Sequence, residues 1–333
     1  MLVVLILLLI ATVLISVTLG AAHISIRHTV SILLSRVFPG LLEEGIRSSH
    51  VHIIMQLRIP RILTALFVGA GLAVSGTVFQ AVFRNPMADP FILGISSGAA
   101  LGVAVGLITG FSTIISLTWG SSIAAFAGGV GATLAIYLLA GRSTGVNTLL
   151  LAGIAMNFML SSVMSLLLYF NRENLESVIY WNMGSLSSAN WEGLSVLIPV
   201  VLLGTIGMML FTRELNALTV GDETARSVGI PIHTVRIIVL MLATVTTSAG
   251  VAVSGTIGFV GLIIPHIVRL LIGPNHRILL PCAALCGACF VAICDALARS
   301  LMPPSEIPVG IITALAGAPY FIYLLKRRGR NVL

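Results

Sequence analysis

Ala70-Gly-Leu-Ala-Val-Ser-Gly-Thr77 and Ala249-Gly-Val-Ala-Val-Ser-Gly-Thr256 match at seven of eight positions, 179 residues apart. Each falls in an apolar stretch of about the twenty residues that a helix needs to cross the hydrocarbon core of a bilayer. The first copy lies in the second such stretch, and the other ends the seventh. Five spans apart is an odd number, so the two copies run in opposite directions across the membrane. That is the pattern of an inverted-topology repeat, from which many transporters build a pathway near the midplane. The competing reading is chance likeness between small-residue helices, because so few residue types carry little information.

Composition decides what surrounds the repeat. The chain has 333 residues, 57% hydrophobic and 9% charged, against about 25% charged in an ordinary soluble domain. Mean hydropathy is +1.09. Such a chain cannot cover a soluble surface with charge, which excludes a cytosolic enzyme, a secreted disulfide scaffold and a disordered chain. The expectation is an all-α polytopic membrane protein with a single transmembrane domain over residues 1–333. Hydropathy gives ten spans, at 1–21, 60–82, 91–111, 115–140, 148–170, 193–213, 234–254, 256–272, 278–298 and 308–325. The first is read as a retained span, because no basic segment precedes it as in a signal peptide. Pro265, His266 and Arg269 interrupt the eighth, and nine spans is the competing count.

All but one of the eighteen basic residues are arginine, the exception being Lys326. With ten spans both termini share a side, and the tail Lys326-Arg-Arg-Gly-Arg330 assigns that side to the cytoplasm. The inner loops then carry Arg84, Arg142, Arg213, Arg226 and Arg277. The first outer loop breaks the bias with Arg27, Arg36, Arg47, Arg58 and Arg61. Two readings stand: interfacial anchors in the headgroups, or a surface for a negatively charged partner. No basic face sits on a soluble domain large enough for nucleic acid.

Catalytic chemistry is sparse. There is no phosphate-binding G-x-x-x-x-G-K-[ST] loop, so the chain is not expected to bind ATP itself. Gly94-Ile-Ser-Ser-Gly98 fits G-x-S-x-G, but that motif needs a strand–turn–helix setting. Gly94, Gly98, Gly102, Gly106 and Gly110 recur every four residues and predict one close-packing helix face. Cys282, Cys286 and Cys289 share a helix face, and with Cys294 they read either as small packing residues or as a thiolate metal site. Asp295 is the one acid well inside a span and a default candidate for ion coupling. Arg299, four residues on, offers a local ion pair instead. His266, behind Pro265, reads as a structural histidine or as a ligand. The loop 214–232 is the longest polar inner connection. Thr219 or Gly221 starts a short helix there, Asp222 and Glu223 fill its first turn, and Gly229 and Pro231 stop it.

Several longer motifs carry a resemblance that covers nearly the whole chain. They are Arg58-Ile-Pro-Arg61, Gln80-Ala-Val-Phe-Arg-Asn-Pro-Met-Ala-Asp-Pro90, Leu93-Gly-Ile-Ser-Ser-Gly-Ala99, Leu149-Leu-Leu-Ala-Gly153 and Trp181-Asn-Met-Gly-Ser185. Gly221-Asp-Glu-Thr-Ala-Arg-Ser-Val-Gly229, Gly258-Phe-Val-Gly-Leu-Ile-Ile-Pro-His-Ile-Val-Arg269 and Gly317-Ala-Pro319 follow in order. In these the chain resembles the FecCD-type permeases, the membrane subunits of type II ABC importers for iron–siderophores, haem and vitamin B12. The resemblance implies ten helices, a homodimer in the cytoplasmic membrane, and two separate ATPase subunits that bind the ATP and Mg. It implies a substrate-binding protein outside, and no cofactor in this chain. It assigns Arg58, Arg61 and Arg299 to docking of acidic residues on that binding protein. Gly221, Asp222, Glu223, Ala225, Arg226 and Gly229 become the coupling segment. The inner gate falls at Gly145, Val146 and Asn147, and Asn85, Pro86 and Asp89 take a structural part. Cargo, pathway-lining residues and the part played by the cysteines are left open.

Overall fold

The computed structural model of the chain describes residues 1–20, 24–35, 38, 46–111, 115, 117–141, 145–303 and 305–329. Every element among them is helical. The helices are α1 (Leu2–Thr18), α2 (Ile26–Ser35), α3 (Ser48–His52), α4 (Ile59–Val82), α5 (Ile95–Ile108), α6 (Leu117–Ala140), α7 (Val146–Phe170) and α8 (Leu175–Asn182). After them come α9 (Trp191–Leu210), α10 (Thr212–Val220), α11 (Asp222–Ser227), α12 (Ile232–Ser254), α13 (Val260–Ile272), α14 (His276–Ser300) and α15 (Val309–Gly329). Among the described residues, six helical stretches are long and apolar enough to cross a membrane: Ser48–Val82, Trp119–Ala140, Val146–Phe170, Trp191–Leu210, Ile232–Ser254 and His276–Ser300. Four shorter apolar helices accompany them, Leu2–Thr18, Ile95–Ile108, Val260–Ile272 and Val309–Tyr323.

The two helices that hold the octapeptides form the centre. Ser75 Oγ donates to the Ala243 carbonyl at 3.2 Å, Gly71 lies against Thr246, and Gly250 lies against Val68. Residue numbers fall along α4 as they rise along α12, so the pair is antiparallel, as an inverted repeat requires. The octapeptides themselves are out of register. The first is wholly inside α4, while the second runs off the end of α12, where Gly255 turns the chain at φ 65°.

Between lipid-embedded helices there is no hydrophobic drive, so close backbone approach has to supply the packing. Around α4 it does. Gly76 abuts the Gly261 backbone of α13, and Gly69 abuts Gly287 of α14, where a Cβ on any of the four meets an atom of the neighbouring helix at or inside contact distance. The glycine stripe works likewise on α5: Gly98 abuts Gly128 and Ala132 of α6, and Gly102 abuts Ala124. Gly106 is buried in α5. Gly94 and Gly110 instead stand at the ends of that helix with φ 77° and 73°. They are turning residues, so the packing face is shorter than the sequence spacing implies.

Helical structure also extends beyond the expected spans. The second span is continuous with α3 through a π-helical turn, Ile53–Arg58, and so starts at Ser48. The segment after α9 holds two helices where one was expected. Leu215 and Leu218 bury α10 in the core, and Gly221 (φ 155°, ψ 159°) separates it from α11. The connection between α7 and α9 contains α8.

Candidate functional site

The chemistry-bearing side chains gather at opposite ends of α4. A 24-residue helix at 1.5 Å per residue puts those ends about 36 Å apart.

At the N-terminal end of α4 five charged residues come together. Arg58 closes the π-helical turn and donates through Nη1 to the Val17 carbonyl at 2.6 Å and the Thr18 carbonyl at 3.4 Å. Arg299 reaches the same helix end from α14, through Nη1 to the Leu19 carbonyl at 3.0 Å and Nη2 to the Ser16 carbonyl at 3.2 Å. The last carbonyls of a helix have no intrahelical partner and carry its negative end, so guanidinium groups satisfy both needs of α1. Asp295 is fully buried between two arginines. Arg61 Nε lies 2.9 Å from its Oδ1 and Arg299 Nε 3.0 Å from its Oδ2. The second of these is the ion pair that the four-residue spacing predicts. Arg61 Nη1 also binds Glu306 Oε2 at 2.7 Å, in the connection between α14 and α15.

The family resemblance implies that Arg58, Arg61 and Arg299 form an outward docking surface. They do meet, but Arg58 and Arg299 turn inward and are only 5% and 6% exposed. Arg61 comes nearest to the surface, and its partner Glu306 has 41% of its side chain exposed. Glu306 and the α1 carbonyls are not among the residues expected there. The signal for Glu306 was available, as the one acid between Arg299 and the last span.

Beside Glu306 lies a cavity of about 470 Å³. Ser121, Ser185, Ser188 and Ser254 give it a wall of hydroxyls, with Trp181 and Glu306 also lining it.

At the C-terminal end of α4, Asp222 of α11 holds two arginines. Arg236 Nη2 of α12 lies 3.1 Å from both carboxylate oxygens. Arg84, just past α4, lies 3.9 Å away. Arg84 has φ 49°, a left-handed turn that ends the helix. The Arg236 side chain is 4% exposed, so Asp222 is the counter-ion of an enclosed cation. Ala225 is fully buried on the same helix, whereas Glu223 and Arg226 face out. Gly229, at φ 78°, ends α11, with the Ile230 N–H on the Ala225 carbonyl at 3.0 Å. One face of α11 is therefore pinned to both central helices, and the other, with Glu223 and Arg226, is exposed.

The turn after Arg84 is built by its own polar residues. Asn85 Oδ1 accepts the Met87 N–H at 2.9 Å and Asp89 Oδ1 accepts the Phe91 N–H at 2.8 Å. Burial pushes the Asp89 carboxyl up to about 6, against the pull of the Phe91 N–H. Asn157 of α7 donates to the Ile92 carbonyl at 3.2 Å and clasps the turn from the other side. Gly145 precedes α7, Val146 packs on the core and Asn147 is exposed, while 142–144 lie outside the described residues. Ser96 stands in the first turn of α5, in no strand–turn–helix setting. The four cysteines are free thiols, and no group of three or more potential metal ligands occurs among the described residues.

Comparison with known proteins gives a consistent result. The model of the FecCD transport family matches residues 8–327. The chain is 43% identical to the cobalamin import system permease protein BtuC of Halobacterium salinarum, over 86% of this chain and 77% of that one. It is 42% identical to the hemin transport system permease protein HmuU of Yersinia pestis, over 89% of each. A solved structure described as an inward-facing conformation of a metal-chelate type ABC transporter superposes with a TM-score of 0.85, at 37% identity, over 98% of both chains.

Proposed function

The chain belongs to the FecCD transport family, and on that premise we propose that it is the membrane permease of a binding-protein-dependent ABC importer for a bulky metal chelate. The superposition over 98% of both chains with a metal-chelate type ABC transporter carries this reading. Iron–siderophore complexes are the first choice of cargo, with haem and cobalamin next. ATP is hydrolysed on two separate cytoplasmic subunits, and two copies of this chain enclose the pathway in the cytoplasmic membrane. The Asp222 end faces the cytoplasm and the Arg61 end faces outside.

In the proposed cycle the exposed face of α11, with Glu223 and Arg226, receives the ATPase subunits. Closure of those subunits moves α11. Asp222 hands the motion to α4 through Arg84 and to α12 through Arg236. These two antiparallel helices are glycine-packed and shift as bodies, which switches the pathway from one side to the other. Gly145, Val146 and Asn147 stand at the inner mouth of that pathway.

An ion-coupled carrier using Asp295 has less support. A relay carboxylate must exchange protons with water, yet Asp295 is fully enclosed and has an arginine on each oxygen.

The test is uptake by the reconstituted importer, permease with its ATPases and binding protein, offered a ferric hydroxamate, a ferric catecholate, haem and cobalamin. ATP-dependent accumulation of one of these supports the assignment. Accumulation of none, by a complex whose ATPase is active, removes the chelate reading.

A further inference from the structure

We propose that Glu306 is an internal stand-in for an acidic side chain of the extracytoplasmic partner, and that the partner displaces it from Arg61 on docking. The inference rests on the importer reading above, and it narrows the docking cluster from three arginines to one. Arg58 and Arg299 spend their donors on the carbonyls of Ser16, Val17, Thr18 and Leu19 and are almost completely enclosed. An incoming carboxylate has to dismantle the end of α1 to reach them. Arg61 is different. Its Nε is committed to the enclosed Asp295, but its Nη1 faces Glu306, which lies on a connection where Leu301 and Met302 are also exposed.

The two carboxylates on Arg61 are not equally replaceable. Asp295 is shielded from water and bridged by two guanidinium groups. The Glu306 pair is water-accessible, and pairs of that kind contribute only a few-fold to an equilibrium. Exchange of one carboxylate for another on the same nitrogen leaves the charge of the enclosed cluster unchanged, so the cost of stripping Arg61 is avoided. A partner presenting a glutamate or aspartate at the centre of its contact surface fits this site.

Glu306 also lines the hydroxyl-walled cavity of about 470 Å³. Its release from Arg61 takes a wall residue away from that cavity. Docking and widening of the cavity mouth become one event.

The test measures affinity of the importer's own binding protein for the permease–ATPase complex in nanodiscs, with wild type, Glu306→Gln, Arg61→Gln and the double variant. Glu306→Gln removes the competitor and is expected to tighten binding about three- to fivefold, the size of an exposed ion pair. Arg61→Gln is expected to weaken binding, and adding Glu306→Gln to it to change nothing further. In parallel, a Ser254→Cys thiol at the buried side of the cavity is expected to react faster with a membrane-impermeant maleimide in the Glu306→Gln background. Unchanged or weaker binding by Glu306→Gln, while Arg61→Gln still weakens it, overturns the stand-in and leaves docking intact. Unchanged binding by Arg61→Gln, in a complex that elutes and melts as wild type, removes the docking reading itself. Unchanged Ser254→Cys labelling removes the link to the cavity.

Discussion

Replacing Asp222 by Asn keeps the shape of the side chain and an oxygen that Arg236 can still meet, but takes away the charge. The arginine left behind has a side chain 4% exposed, so its lost counter-ion is not made good by water. Breaking a fully buried ion pair costs about 3–5 kcal/mol. Asp222 itself is 33% exposed, which places the pair between buried and exposed cases, at about 2 kcal/mol. That is about a thirtyfold change in the population of the pinned state. The loss concerns the joint between α11 and the two central helices, so the expected phenotype is uncoupling. Cargo moved per ATP falls at least several-fold, while ATP hydrolysis continues. The assay is simultaneous measurement of phosphate release and cargo uptake in proteoliposomes, with thermal unfolding of the same preparation. Arg236→Gln added to Asp222→Asn removes the excess positive charge and is expected to recover most of the lost stability, but not the coupling. Wild-type stability and wild-type cargo per ATP in Asp222→Asn would refute the reasoning, because the Asp222–Arg236 pair would then contribute to neither stability nor coupling.

Other consequences are equally specific. A methyl group at Gly76 overlaps the Gly261 backbone, so Gly76→Ala is expected to destabilise the chain by about 1–3 kcal/mol. Gly131→Ala on α6, where a Cβ meets nothing within 4 Å, is expected to be neutral or to stabilise by up to about 1 kcal/mol; thermal unfolding in detergent compares the two. The Asp89 carboxyl is held near 6, above its ordinary 3.8, so the folded state favours its protonated form. Its contribution is complete below about pH 4 and is lost as pH rises through about 6, and Asp89→Asn is expected to flatten melting temperature against pH over that window. Arg299→Gln leaves the end of α1 with fewer donors, and hydrogen exchange at residues 16–19 is expected to quicken while the Asp222 end is unaffected.

What the sequence made legible follows from what it encodes locally. Long apolar runs declared the class, and the spacing of Asp295 and Arg299 declared their pair, because both depend on neighbours along one helix. The antiparallel relation of α4 and α12 was readable from the odd offset, five spans, that separates the two octapeptides. Their register was not, since a string of small residues suits either the middle of a packed helix or its frayed end. Gly94 and Gly110 misled for a similar reason: a glycine that permits close approach and one that permits positive φ look identical in sequence. The contacts of Arg58 and Arg299 with α1 were invisible, because backbone carbonyls have no letter of their own. The division of α11 into a pinned face and an open face needed Arg84 and Arg236, which come from opposite ends of two distant segments. Helices α8 and α10 were missed because short amphipathic turns between spans have little hydropathy signal.

On the proposed function, transport through this chain is driven by ATP hydrolysed on separate subunits. The direct measurement is cargo accumulation in proteoliposomes that hold this permease, with and without its ATPase subunits, under either ATP or an imposed proton gradient. Accumulation only when the ATPases, ATP and the binding protein are all present is the predicted result. Accumulation driven by the proton gradient alone, lost in Asp295→Asn, would contradict the account and return the buried carboxylate to the centre of the mechanism.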